Sequence, residues 1–444
     1  MKENSRSVSD FIDQEYKEYA LYVLHNRAIP NAIDGLKPVQ RKILYTALAR
    51  CKTEFLKTAS LVGFTMADSN YHHGDASIAS AVNLLTQNFV GSNNVEMFEG
   101  GGSFGNRLVP EAAAARYTKV HLNKQFLKYF DDFEILDQNH DPENPEPLCY
   151  LPKIPWVLVN GSEGIAVGFA TTILPRDPKL LIDTTIEKLK TKKKFPYSHY
   201  KPFFRGFKGK IEYNQLENNW IVEGTFQRKS NSTITVTELP IGWTREKYIE
   251  KCLVDLEEKQ IIRNYSDPDF DDNGNIVFEV QFYRNVNIED DEKVIKYLKL
   301  RTKLSENVNV IDNENHLRNF NNIDELVDYF IEYRVKKYQQ RIERLLALSH
   351  QIIEFIDEKI RFIDSIISGK LKITELNKVQ LKDQLKKDNY KFIDDLLELK
   401  IYKFTKDEIE HSLKTKEEHQ KTIEDLLKTT PIEIYIKDLK QKER

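Results

Sequence analysis

Apolar and polar positions along this chain follow two periods, and the changeover divides it. The stretch "SVSDFIDQEYKEYALYVLHNRAIP" (residues 7–30) spaces its apolar residues as a helix, with Ser9 as N-cap and Pro30 as stop. "KPVQRKILYTALARC" predicts a second helix starting near Pro38. "GDASIASAVNLLTQNFV" predicts a third, dense in small residues that allow close packing. The glycine-rich "EGGGSFGNRLVP" then leads into "EAAAARYTK", whose alanine run predicts a short helix ending at Arg116 and Tyr117. A phenol beside a fixed cation serves either core packing or attack on a phosphate.

Beyond residue 150 the period shortens to two. "NWIVEGTFQ" and "STITVTELP" alternate as half-buried strands, and "TREKYIEKCLVDLEEKQ" interrupts them as a helix. From about residue 320 the pattern is helical and highly charged. Val335, Tyr338, Ile342, Leu345, Ser349, Ile352, Ile356, Ile360, Ile363 and Ile367 form a narrow seam of coiled-coil spacing that Gly369 ends. A compact segment follows, and a second helix from Lys406 carries a sparser seam through Ile409, Leu413, Ile423 and Leu427. Such a hairpin either pairs with another chain through its tip or closes on itself.

Composition narrows the class. The chain has 444 residues, enough for two to four domains, and its 40% hydrophobic and 30% charged content is that of a folded soluble protein. The formal net charge of −3 means that any nucleic-acid-binding surface is local. Cys51, Cys149 and Cys252 lie far apart without a metal-site spacing and read as reduced thiols. The N-terminus is polar and acidic, so no signal peptide is expected. The apolar run "IPWVLVNGSEGIAVGFATTILP" carries Asn160, Ser162, Glu163 and glycines, against a membrane span.

Several chemistries lack their motifs: no GxxxxGK[ST], no GxGxxG after a strand, and no HExxH. The acidic "SDPDFDDNGNIVFE" has Val280 where a calcium loop needs its last glutamate, and reads as a hairpin turn. The run "KLKTKKKF" is a solvated helix end when it stands alone. In "SNYHHGDAS", His72 and His73 sit where a loop meets a helix, suited to a phosphate or to capping. Lys37, Arg41 and Lys42 surround a helix start that could hold phosphates, a weak signal alone.

Taken in order, "RAIPNAIDGLKPVQRKILY", "YHHGD", "GGSFGNR", "AAAARYT", "YLPKIPWVLVNGSEGIAVGFAT" and "VTELP" resemble the breakage-reunion region of type IIA DNA topoisomerases, across nearly the whole chain. The likeness is greatest to the DNA-cleaving medium subunits of the T-even-like bacteriophage branch, and the adjacent histidines of "YHHGD" suit the phage and eukaryotic members. It implies a multidomain α+β fold. A winged-helix DNA-gate domain (1–150) would be followed by an α/β tower domain (151–312). A long antiparallel coiled-coil hairpin with a helical dimerisation knob (313–444) would close the chain.

By the same resemblance, Tyr117 is the nucleophile that joins the 5′ end of a broken DNA strand. Arg116 and His73 would stabilise the reacting phosphate, with Lys37, Arg41, Lys42 and His72 on DNA. Ile165 would be the wedge that enters the base stack and bends the duplex, the alternative being a buried core isoleucine. Phenols ionise near pH 10, so forming phenolate at neutral pH costs about 4 kcal/mol, which a guanidinium and a divalent metal can offset. The resemblance further implies that no metal is held by this chain. Mg²⁺ and ATP would be bound by a toprim/ATPase partner subunit, and two copies of the chain would form a homodimer through the C-terminal gate. Double-stranded DNA is the implied substrate, no membrane partner is expected, and the setting would be cytoplasmic, that of the host cell for a phage protein. Ala76 and Ser80 stand where bacterial members carry the serine and acidic residue that anchor quinolones. The alternatives are a shortened version of the larger bacterial-type cleavage subunit, a non-catalytic winged-helix DNA-binding protein and a pure dimerisation scaffold.

Overall fold

A computed structural model describes residues 8–139, 141–373 and 376–441, and side chains there except those of residues 9, 10 and 401. The chain forms two compact units, one ending at Tyr333 and the other beginning at Arg334.

The first unit opens with a helical stretch over residues 8–28, in which π-helical turns occupy Ile12–Tyr16 and Leu24–Ala28. Ser9, expected as N-cap, already lies inside the helix Val8–Phe11. The stretch ends before Pro30, with Ile29 extended as a residue ahead of proline must be. Pro38 then opens the helix Pro38–Arg50, and Gln40 Oε1 accepts from the Lys37 N–H at 2.9 Å to close its first turn.

Helices Thr58–Asp68 and Asp75–Thr86 pack with Pro38–Arg50 beside a small antiparallel sheet. In it the strand Lys119–Leu122 lies between Leu56–Lys57 and Phe98–Gly101. Ile43, Leu44, Ala47, Leu61, Ile78, Val82, Phe98, Val120 and Leu122 are buried. Three helices on a three-stranded sheet form a winged helix.

The strand-rich part follows. Ile276–Phe282 alternates strictly, burying Ile276, Phe278, Val280 and Phe282, and pairs antiparallel with Thr233–Glu238. Ile262–Tyr265 and Thr225–Ser230 extend that sheet on either side. Tyr248, Cys252, Leu253 and Leu256, from the expected helical insert, are buried in the same core. The acidic turn is a hairpin: Asp269–Phe270 pairs with Ile276 and Val277, and Asp271 Oδ1 accepts from the Asn273 and Asn275 N–H groups. A second sheet orders Arg301–Leu304, Asn219–Glu223 and Lys210–Asn214.

The helix Ile323–Ile367 runs for 45 residues. On its seam Tyr338, Ile342, Ser349, Ile356 and Ile363 are buried, whereas Leu345, Ile352 and Ile367 are 37%, 37% and 43% exposed. The seam is thus covered on one edge only. In the second unit Phe362, on the long helix, packs into a compact core with Leu371, Leu381, Leu385, Tyr390 and Leu396 from the segment after Gly369, whose φ is +75°. The helix Lys406–Lys428 buries Ile423 but exposes Leu413 and Leu427. An unexpected last helix, Pro431–Lys440, stacks Tyr435 on Tyr338 at 4.5 Å and pairs Asp438 with Arg341 at 2.7 Å.

Candidate active site

The alanine run is not a helix. Residues 111–114 are irregular and 115–117 form a turn, with the Tyr117 N–H donating to Ala114 O at 2.8 Å. Tertiary backbone bonds override helix propensity here. Ala113 N–H donates to Ser103 O, and the Thr58 and Ala59 N–H groups, orphaned at their helix start, donate to Thr118 O and Ala115 O. Alanine's small side chain permits this approach, and Gly102 permits the next: at φ +100°, a Cβ there would stand 3.0 Å from Tyr117 O. The clamped turn projects its tyrosine outward. Tyr117 is 75% exposed, and the Arg116 guanidinium, also exposed, lies 5.5 Å from its ring centroid.

His72 and His73 are both exposed in the loop before the helix Asp75–Thr86. His73 Nε2 shares a hydrogen bond with the Tyr22 hydroxyl, and its ring meets the rings of Tyr22 and Tyr71 at 5.9 and 5.2 Å. Sequence reasoning did not single out Tyr22. Its signal was the Tyr16, Tyr19, Tyr22 stripe, exposed on the N-terminal helical stretch. The Tyr117 turn packs its backbone on the start of the helix Thr58–Asp68, whereas His73 lies in the loop beyond that helix's end.

The three cations expected on DNA point elsewhere. Arg41 is 9% exposed; its Nε and Nη2 donate to the two Asp34 carboxylate oxygens at 2.8 and 3.0 Å, and Nη2 also to Leu36 O. Burial opposes its charge, but the Asp34 carboxylate outweighs that and holds the guanidinium pKa above its ordinary value. Lys42 is 8% exposed and donates to Ser69 O, Asn144 Oδ1 and Glu146 Oε2 at 2.8, 2.8 and 3.0 Å. Lys37 Nζ donates to Glu163 O at 2.6 Å, and burial lowers its pKa against the pull of Glu163. In the free chain Arg41 and Lys42 are therefore internal structure, not open phosphate contacts. Burying a charge is tolerated only with such partners.

Ile165 ends the strand Ser162–Ile165, opposite Ala170 of the strand Ala170–Ile173. It is 81% exposed, which rejects the buried-core alternative. An aliphatic side chain held so far into solvent on a paired strand has the form of a wedge. As for a metal, no group of three or more His, Cys, Asp and Glu side chains converges among the described residues. Nor is any helix among them long and apolar enough to cross a membrane.

With this geometry in place, comparison with known proteins is decisive. The sequence model of the family described as the A-subunits of DNA gyrase/topoisomerase IV matches residues 27–443. The DNA topoisomerase medium subunit of Enterobacteria phage T4 is 34% identical over 395 residues, with 87% of each chain covered. The mitochondrial DNA topoisomerase 2 of Dictyostelium discoideum and DNA topoisomerase 2 of Saccharomyces cerevisiae are each 32% identical. They cover 85% and 83% of this chain, which spans only 29% and 26% of them. The crystal structure of the Plasmodium falciparum topoisomerase II DNA-binding, cleavage and re-ligation domain superposes with a TM-score of 0.88 at 29% identity. It covers all of this chain and 65% of its own. The chain belongs to the A-subunit family of DNA gyrase/topoisomerase IV, which comprises the DNA-cleaving subunits of type II topoisomerases.

Proposed function

We propose that this chain is the DNA-binding and DNA-cleaving subunit of an ATP-dependent type IIA topoisomerase that passes one duplex through a transient double-strand break, relaxing or decatenating DNA. The observation that carries the reading is Tyr117, exposed on a backbone-clamped turn with the Arg116 guanidinium beside its ring. Tyr117 Oη bonds to a DNA phosphorus as the bond from that phosphorus to the 3′ oxygen breaks. The phenol gives up its proton and the released 3′ oxygen gains one. The new phosphotyrosyl ester conserves the energy of the broken one, so reversal reseals the strand without an outside source.

Arg116 neutralises charge on the crowded phosphate, and His73 donates to one of its oxygens. A double-strand break needs two tyrosines, one for each strand, and each copy of the chain supplies one, Tyr117. That supports a homodimer, with Ile165 of each copy bending the gate DNA. The inward pairing of Arg41, Lys42 and Lys37 gives these residues the role of shaping the DNA-facing surface, which His72 completes.

Type II topoisomerases generally depend on Mg²⁺ and ATP. The resemblance to type IIA topoisomerases assigns Mg²⁺ and ATP to a toprim/ATPase partner subunit. The likeness to the phage T4 medium subunit supports that division of labour and action in a host cytoplasm.

The test is Tyr117→Phe in the assembled enzyme. Covalent protein–DNA adducts trapped by detergent should vanish while duplex binding persists. Adducts at undiminished yield would overturn the assignment.

A further inference from the structure

A wedge that bends DNA must be stiffer than the duplex it opens, because an unstacked step pushes back and a compliant hairpin would recoil. A lone two-stranded hairpin is marginal by itself. The load on Ile165 falls on the last cross-strand pair, Ile165 with Ala170, beyond which the Ala166 N–H closes the turn onto Phe169 O at 2.8 Å. How that pair is held is therefore a functional question.

One strand is seated on the chain behind it. A Cβ on Gly164 would stand 2.0 Å from Ala28 O, so only glycine lets the backbones touch, and Lys37 Nζ holds the neighbouring Glu163 O. The other strand ends on an unusual acceptor. Ala170 O takes hydrogen bonds from Asn307 Nδ2 at 2.8 Å and Asn309 Nδ2 at 2.6 Å, using both of its lone pairs. Asn309 is 5% exposed; its Nδ2 also donates to Asn307 Oδ1 at 3.2 Å, and its Oδ1 accepts from Asn319 Nδ2 at 2.9 Å. Behind them the Thr172 and Asn307 backbones exchange two bonds of 2.9 Å. The strands Val308–Ile311 and Leu317–Phe320 already pair through their backbones, so the three carboxamides are not needed to join them. Asparagine disfavours strands, yet it occupies both members of the facing pair Asn309 and Asn319. The carboxamides converge on the carbonyl opposite the wedge.

We propose that Asn307 and Asn309, buttressed by Asn319, are positioning residues that stiffen the Ile165 hairpin so that insertion bends the DNA rather than displacing the protein. This rests on the reading of Ile165 as the wedge.

The experiment measures bending by energy transfer between the ends of a labelled duplex, together with cleavage, in the assembled enzyme. It compares Asn307→Ala/Asn309→Ala, Asn309→Asp and Ile165→Ala with the parent. Asn309→Asp keeps the volume but removes the donor and faces a carboxylate to a carbonyl. Both asparagine variants should bend less and cleave about fivefold more slowly, the loss expected from one or two neutral hydrogen bonds. Duplex affinity should stay within about twofold, since phosphate contacts carry it. A duplex with a mismatch at the bent step, which is cheap to open, should restore their cleavage; a general structural defect would not be rescued so. Reduced bending in Ile165→Ala with parental bending in both asparagine variants overturns the clamp alone. Parental bending in Ile165→Ala overturns the wedge reading, and the clamp with it. Slow cleavage that the mismatch fails to rescue also overturns the clamp.

Discussion

The helix Pro38–Arg50 and the two projecting tips at Tyr117 and Ile165 use opposite means to one end. The helix carries two of the cations expected on DNA, yet Arg41 and Lys42 are buried against Asp34 and Glu146. The tips carry an aromatic and an aliphatic side chain, yet these are among the most exposed in the molecule. The usual association of cation with surface and apolar group with core is inverted at both. The difference teaches that charge here builds the platform, while the parts that would touch DNA are held out by backbone bonds. Arg176 with Glu306 and Arg107 with Glu238, both pairs buried, extend the platform beyond the winged helix.

If this comparison holds, substitutions in the platform should cost stability and substitutions in the tips should cost chemistry. The largest effect belongs to Arg41→Ala, which leaves Asp34 buried without its guanidinium. The loss should be about 3–5 kcal/mol, read from denaturant unfolding. A change below about 0.5 kcal/mol, the level of a surface substitution, would break the comparison. Arg116→Ala should do the reverse. Its cleavage rate should fall by about 10²–10³, as when one preorganised charge stabiliser is removed, with the unfolding midpoint unmoved.

Ile165→Ala sharpens the second tip. Being exposed, the residue should contribute less than about 0.5 kcal/mol to stability, while loss of the wedge should slow cleavage about tenfold. A large fall in melting temperature with undiminished bending would return it to a packing role. The smallest effect concerns thiols. Burial pushes Cys149 up to about 12 and Cys51 and Cys252 up to about 11, so at pH 8 the folded chain should resist alkylation. Cys149 lies close enough to Arg41 and Asp34 to feel both charges, so Arg41→Ala should speed its labelling selectively by loosening the platform. Equal acceleration at Cys252 would point instead to global unfolding.

Much of the architecture was legible in advance, for identifiable reasons. Strict alternation in Ile276–Phe282 exposes its period because one face alone is buried. The long helix shows its seam because 45 residues give many turns over which the spacing repeats. The alanine run misled because propensity is a few tenths of a kcal/mol per residue, less than the fixed backbone partners at Ser103, Thr58 and Ala59 contribute. The helix Pro431–Lys440 escaped notice, although its capping box from Thr430 to Glu433 and Pro431 at its first position were present to be read.

The sequence by itself determined which side chains are available for chemistry: a tyrosine after an arginine, a histidine before a glycine, an isoleucine between glycine and alanine. It also determined the local period of nearly every element, because periodicity is a property of neighbours along the chain. Only the tertiary structure decided which way those groups face. Lys42 is turned inward by Asn144 and Glu146, more than a hundred residues away, and Ile165 is turned outward by a hairpin seated on Ala28 and Asn309. A residue's exposure depends on what remote chain covers it, and that covering is settled by the packing of whole elements rather than by any neighbour in sequence.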